Sequence, residues 1–268
     1  MDEFVQSLRH PFPPSVWKQW IRQLLPSLCW KCGGVLGGKT YHDPASPFLC
    51  LSCLKELPWM DSQYHCRQCG NRTAEPDRLR CSECMEEVWD LYESRSGFEY
   101  TDLIRDWILR LKFYGQEHLA PLLGRLLALN FQNNNWLEKY DSVVPIPLHS
   151  SRLRKRGFNQ SLLLTHHFSK NLVEYTHPIF PHWLRRTRAT RPQTELPLAE
   201  RLVNLDNAFA ASPEVQNRSI LLLDDVMTTG STLNAAARCL LDAGADKVGA
   251  LVLCRRMWDA SDNLYGEA

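Results

Sequence analysis

Four Cys-x-x-Cys pairs (Cys29/Cys32, Cys50/Cys53, Cys66/Cys69 and Cys81/Cys84) hold eight of the ten cysteines, and they constrain the fold more than any other feature. The segment that carries them has too little apolar side chain to build a core, so something else must hold it together. Disulfides would do so only in an oxidising compartment. The N-terminus points away from one: Asp2 and Glu3, followed by Pro11, Pro13 and Pro14, make neither the basic nor the apolar region of a secretory signal. No run approaches the ~18 consecutive apolar residues of a spanning helix, and the chain reads as cytoplasmic. In that setting repeated Cys-x-x-Cys is the spacing of zinc knuckles. A thiolate-bound Zn²⁺ contributes on the order of 10 kcal/mol of folding energy.

The segment is an internal repeat. Cys29-Trp30-Lys31-Cys32-Gly33 resembles Cys66-Arg67-Gln68-Cys69-Gly70, each pair followed by a glycine that lets the chain turn tightly around metal-bound sulfur. Two structural zinc sites are expected, one on Cys29, Cys32, Cys50 and Cys53 and one on Cys66, Cys69, Cys81 and Cys84, because each repeat then closes its own site. Interleaved pairing, first with third, satisfies the spacing as well. A closed four-thiolate site has no open coordination position, so it reads as a staple ahead of a nucleic-acid reader or a redox centre. The expected organisation is an N-terminal arm and amphipathic helix over 1–28, with Trp17, Trp20, Ile21, Leu24 and Leu25 at helical spacing. A double zinc ribbon over 29–88 and a larger domain over 89–268 follow.

Beyond Cys84, strand and helix signals alternate. Short apolar runs at 142–148, 219–223 and 248–254 read as buried strands, and 91–100 as an edge strand or strand pair. Helical spacing marks 103–111, 119–129, 157–172 and 233–241. Strands alternating with helices at these distances predict an α/β domain with a parallel sheet flanked by helices. Composition agrees: 31 Lys+Arg against 30 Asp+Glu, with 44% apolar residues, exclude both a polybasic binder and a disordered acidic chain.

The run that carries chemistry is Ile220-Leu221-Leu222-Leu223-Asp224-Asp225-Val226-Met227-Thr228-Thr229-Gly230-Ser231-Thr232. It is a strand ending in two carboxylates, then a turn, then a helix. Open parallel sheets bind ligands at the carboxyl ends of their strands, where this turn emerges. The helix start offers unpaired amides and a positive dipole end. Gly230 permits close backbone approach, and the hydroxyls of Thr228, Thr229, Ser231 and Thr232 add donors, which together suit a phosphate monoester. Asp224 and Asp225 repel phosphate and suit groups that donate, such as sugar hydroxyls, or a Mg²⁺ ion acting through water. Phosphate on one side and a diol on the other describe a ribose 5-phosphate. The G-x-x-x-x-G-K-[ST] signature of P-loop nucleotidases is absent.

Asp224 to Thr232 resembles the phosphoribosyl pyrophosphate (PRPP) motif of type I phosphoribosyltransferases. The order of cysteine ribbons, Val-Pro-Ile-Pro-Leu-His, Arg156-Gly157-Phe158-Asn159-Gln160, Arg-Pro-Gln-Thr and then this turn is similar to the ComF family associated with natural competence. The resemblance implies a type I phosphoribosyltransferase-like sheet behind a small zinc-ribbon domain. It gives Asp224 and Asp225 a catalytic role on the ribose hydroxyls, and Thr228, Thr229, Gly230, Ser231 and Thr232 the 5-phosphate. Mg-PRPP would lose pyrophosphate to an unknown nitrogen nucleophile through an oxocarbenium-like state stabilised electrostatically. Arg152, Arg154, Lys155, Arg156 and Gly157, read as a basic loop, are expected to hold the pyrophosphate. Arg185, Arg186, Arg188 and Arg191 are expected on a mobile loop that either closes over it or tracks single-stranded DNA. Position 228 is Thr where hypoxanthine-guanine members carry an acid on the purine ring, which argues against that activity. The alternative is a PRPP-sensing or single-stranded DNA-handling protein of the competence machinery that retains the fold without turnover. His149, His166, His167, Cys239 and Cys254 are given no role.

Overall fold

A computed structural model of the chain describes residues 27–36, 48–60, 64–73, 79–86, 89–131, 135–172, 177–188 and 207–257. The expected N-terminal helix lies outside them. The chain divides into two compact units, Met1–Leu57 and Pro58–Ala268.

In the smaller unit the first knuckle turns back on itself through the Gly33 amide donating to the Cys29 carbonyl (2.8 Å) and a bridge between Leu28 and Val35. The second cysteine pair leads into a short helix, α1 (Leu51–Lys55). The larger unit repeats the device. The Gly70 amide donates to the Cys66 carbonyl (2.8 Å), His65 bridges Arg72, and Cys81 leads into α2 (Ser82–Glu86). The sulfurs pair sequentially, as the repeat favoured: Cys29, Cys32, Cys50 and Cys53 form one group and Cys66, Cys69, Cys81 and Cys84 the other, each with its sulfurs within 4.8 Å of one another. The interleaved arrangement is excluded. All-sulfur donor sets of this size fit two zinc sites with no position open to substrate.

The rest of the larger unit is the α/β body. Strand β1 (Ser94–Glu99) is followed by helices α3 (Asp102–Phe113) and α4 (Leu119–Phe131), then β2 (Ser142–Pro145). Helices α5 (Ser150–Arg156) and α6 (Gln160–Asn171) come next, then a small antiparallel pair, β3 (Leu184–Arg186) and β4 (Phe209–Ala211). Strand β5 (Ser219–Met227), helix α7 (Ser231–Asp242) and strand β6 (Lys247–Arg255) complete it. The four long strands form a parallel sheet in the order β1-β6-β5-β2. Strands β5 and β6 read as near-continuous apolar runs because helices cover both faces. On one face Ile220, Leu222, Val248, Ala250 and Val252 meet Leu233, Ala236, Ala237 and Leu240 of α7. Helices α4 and α6 pack on each other and on the sheet.

Three expectations are corrected here. Strand β5 does not stop at Leu223 but runs through both acids to Met227, because Val226 and Met227 keep pairing with Cys254 and Arg255. The basic segment 152–156 is not a loop. His149 caps the helix that contains it, accepting a hydrogen bond from the Ser151 amide, and Gly157 ends that helix at φ 88°. Arg185 and Arg186 are not on a mobile loop, since they register with Ala210 and Phe209 in the β3–β4 pair.

The division between units also differs from the sequence boundary at 88/89. Edge strand β1 explains why. Its amide and carbonyl groups are taken up by the segment before the second knuckle and by the knuckle itself: Met60 N to Gly97 O (3.0 Å), Glu99 N to Pro58 O (2.9 Å) and Ser94 N to Arg67 O (2.7 Å). An exposed parallel edge invites pairing with another chain, and the cysteine knuckle covers it. All four cysteines of the second cluster are buried, whereas Cys32 of the first is exposed. Cys84→Ser is therefore expected to lower the melting temperature of the sheet-bearing unit by several degrees more than Cys32→Ser does, as read by near-ultraviolet circular dichroism.

Candidate functional site

At the carboxyl ends of β2 and β5 lies a cleft of about 570 Å³. Asp224 and Asp225 form part of its floor, Thr232 at the start of α7 lines one side, and Arg152, Lys155 and Arg156 of α5 line another. Two more cations line it: Arg186, reaching it from strand β3 rather than from the expected loop, and Lys112 near the end of α3, which the sequence reading did not include. Five cationic side chains thus face two carboxylates, so the cleft suits a ligand with several negative charges.

The acids are held by partners brought from distant parts of the chain. Asp225, 3% exposed, makes an ion pair with the Lys112 ammonium. Burial opposes its ionisation, but the charge and hydrogen bond of Lys112 outweigh burial and hold its carboxyl below the ordinary carboxylate range, with Arg156 adding to the effect. Burial likewise disfavours charge on Lys112, and Asp225 overcomes it. Asp224 accepts hydrogen bonds from Ser161 Oγ (2.7 Å) and the Asp225 amide (2.9 Å) on one oxygen. Burial and the adjacent Asp225 charge push its pKa up to about 7. One carboxylate is thus firmly ionised and its neighbour titrates near neutrality, as expected for two acids that share a buried site.

The Arg156-Gly157-Phe158-Asn159-Gln160 motif explains how Ser161 arrives there. Asn159 caps α6 by accepting from the Ser161 amide (3.0 Å) and donates to the Ile146 carbonyl (3.0 Å), which ties the helix start to the end of β2. Arg156 donates to the Gln160 side chain and stands 5.3 Å from the Phe113 ring centroid. Arg186 is largely withdrawn from water. Burial, and then the charge of Arg152, lower its pKa to about 10.

Of the turn before α7, Thr232 lines the cleft, while Thr228, Thr229, Gly230 and Ser231 are not among its lining residues. Gly230 adopts φ 81°, a left-handed conformation that side chains avoid, and stands immediately before the helix. Thr229 and Ser231 hydroxyls are hydrogen-bonded to each other (2.6 Å). Of the residues expected to hold pyrophosphate, Arg152, Lys155 and Arg156 line the cleft, while Arg154 and Gly157 are not among its lining residues. Arg185 and Arg188 are exposed, and Arg191 lies outside the described residues. His149 acts as a helix cap and Cys254 is buried in β6.

Residues 182–266 match the family model described as a phosphoribosyl transferase domain. The DNA utilization protein YhgH of Salmonella typhimurium is 32% identical over 245 residues, which cover 87% of this chain and 99% of the relative. Two further relatives are the competence protein F of Haemophilus influenzae, 30% identical with 77% of this chain and 90% of the relative covered, and the competence protein ComFC of Bacillus subtilis, 30% identical with 77% and 84% covered. The chain belongs to the ComF family. The ComF-type architecture of a four-cysteine ribbon and a phosphoribosyltransferase-like parallel sheet is therefore present. Among the described residues, no helix is long and apolar enough to cross a membrane.

The motifs in the sequence do not point to Lys112 or Ser161. A signal for Lys112 exists: Ile104 and Ile108 are buried at four-residue spacing on α3, and Lys112 continues that stripe where an apolar residue belongs. Two outcomes follow from the buried pair. Lys112→Met strands the Asp225 carboxylate and is expected to cost about 3–5 kcal/mol in urea unfolding at pH 7.5, with most of that restored in Lys112→Met/Asp225→Asn. For Asp224 the native state holds its proton more tightly than an unfolded chain does. Its contribution to stability is therefore lost as pH rises from the ordinary carboxylate range through about 7. Asp224→Asn should flatten that decline between about pH 4 and 7 in the same measurement.

Proposed function

We propose that the cleft binds Mg-PRPP and that the protein is a phosphoribosyltransferase acting on a nitrogen nucleophile of unknown identity. The observation that carries this reading is the juxtaposition, in one cleft, of a glycine-turned helix start, two carboxylates and a cationic wall. The turn 228–232 would take the 5-phosphate through main-chain amides and the hydroxyls of Thr228, Thr229, Ser231 and Thr232. Asp224 and Asp225 would accept the ribose hydroxyls. Arg152, Lys155, Arg156 and Arg186 would take the pyrophosphate through charge-assisted hydrogen bonds and stabilise the charge that develops as it leaves. The proposal does not depend on Arg154, Gly157, Arg185, Arg188 or Arg191. Mg²⁺ bound with PRPP would neutralise the departing pyrophosphate.

The Lys112 pair fits this reading. A sugar hydroxyl donates to a carboxylate, and Lys112 keeps Asp225 ionised inside the protein so that it can accept. The two four-cysteine clusters are proposed to hold structural zinc, and the protein to act in the cytoplasm. The names of the relatives support a role in competence or DNA use.

Isothermal calorimetry tests the assignment: wild type is expected to bind Mg-PRPP, and Asp225→Asn to weaken it by about tenfold or more. Unchanged affinity in that variant refutes the placement of the ribose. Release of pyrophosphate on adding candidate bases separates an enzyme from a PRPP sensor. The exposed Arg185 and Arg188 favour a second reading, contact with single-stranded DNA. Binding that weakens steeply with salt and is lost in Arg185→Ala/Arg188→Ala would support it.

A further inference from the structure

Residues 89–91, between the second cysteine cluster and β1, are bound to the element that shapes the phosphate turn. The Trp89 indole rests on Gly230: a β-carbon placed there would lie 2.6 Å from its Cη2 and 2.6 Å from Met227 Cε. Asn234, one turn into α7, donates from its own amide to the Gly230 carbonyl (2.9 Å). Its side-chain oxygen accepts from the amides of Asp90 (2.7 Å) and Leu91 (3.4 Å), and its Nδ2 donates to the Asp90 carboxylate (3.2 Å). Arg238 Nε donates to the same carboxylate oxygen (3.0 Å).

The other end of this segment is fixed by the knuckle. Gln68, between Cys66 and Cys69, donates from its side chain to the Leu91 carbonyl. Ser94 Oγ donates to the Gln68 carbonyl (2.8 Å). A second tie reaches the opposite flank of the turn. Arg255 is buried, its stem packs beside Gly70, and its Nη1 donates to the carbonyl of Met227, the last residue of β5 (3.2 Å). The four sulfurs, Leu91, Met227 and Leu233 belong to one apolar core. The strand end before the turn and the helix after it are therefore both anchored to the Cys66–Cys84 cluster.

We infer that Trp89 and Asn234 are positioning residues through which the second cysteine cluster sets the turn 228–232 for a phosphate monoester. The inference rests on the PRPP reading of the cleft. Neither residue touches the ligand. They hold Gly230 and the first turn of α7 so that the amides converge on one anion, and a displacement of the turn costs affinity at the 5-phosphate end alone.

Ribose 5-phosphate and pyrophosphate are the probes, titrated separately by calorimetry into wild type, Trp89→Ala, Trp89→Phe, Asn234→Ala and Cys84→Ser. Each protein is held at a temperature where its near-ultraviolet circular dichroism shows native packing. Trp89→Ala, Asn234→Ala and Cys84→Ser are expected to weaken ribose 5-phosphate by about tenfold, with pyrophosphate affinity within about twofold of wild type, and Trp89→Phe to restore most of the loss. Equal losses for both probes would mark a general loosening of the unit and overturn the inference. So would unchanged ribose 5-phosphate affinity in Trp89→Ala and Asn234→Ala. If wild type binds neither probe, the reading of the cleft itself fails.

Discussion

Two adjacent carboxylates buried in the middle of a parallel sheet are tolerable only if each is matched within the protein, because an unmatched charge there costs several kcal/mol. Here the match comes from three directions. Lys112 arrives from α3, Ser161 from the capped start of α6, and the Asp225 amide turns toward Asp224. Much of the architecture around the cleft serves that requirement. Helix α3 must end beside β5, and the end of β2 must be tied to α6 through Asn159. The same arrangement leaves one carboxylate ionised and one poised near neutrality, in a cleft that five cationic side chains also line.

The cysteine clusters are alike in local geometry and different in consequence. Both knuckles use the same amide-to-carbonyl turn and the same left-handed glycine, with φ 71° at Gly33 and 70° at Gly70. The first is enclosed within the smaller unit. The second lies in the core of the sheet-bearing unit, where it covers the edge of β1 and shares apolar neighbours with β5 and α7. A closed sulfur site performs no chemistry of its own, yet its packing fixes where the neighbouring backbone goes. Outer partners of this kind commonly decide whether a binding turn is held tightly enough to act.

Much of this protein could be read before folding was considered. The repeat of Cys-x-x-Cys-Gly closes its own sites, the apolar runs become the sheet strands, and the strand-acid-turn-helix run around Gly230 forms one side of the cleft. Each is a local signal, set by spacing, backbone conformation or a short-range cap, so a linear string carries it. Arg152 to Arg156 shows the limit of that reading. Their charge was legible, but the His149 cap and the Gly157 stop make them a helix, so Arg152, Lys155 and Arg156 line the cleft while Arg154 does not.

The sequence by itself determined which cysteines cluster, which segments are strands, and which turn and acids border the cleft. Tertiary structure alone decided that Lys112 neutralises Asp225, that Arg186 reaches the cleft from a strand, and that the second cysteine cluster joins the sheet unit. The reason is distance along the chain. Ser161 and Asp224 are 63 positions apart, and Asn234 and Asp90 are 144. Contacts of that separation leave no periodic trace in either segment, and they exist only once the parallel sheet has brought its strand ends together.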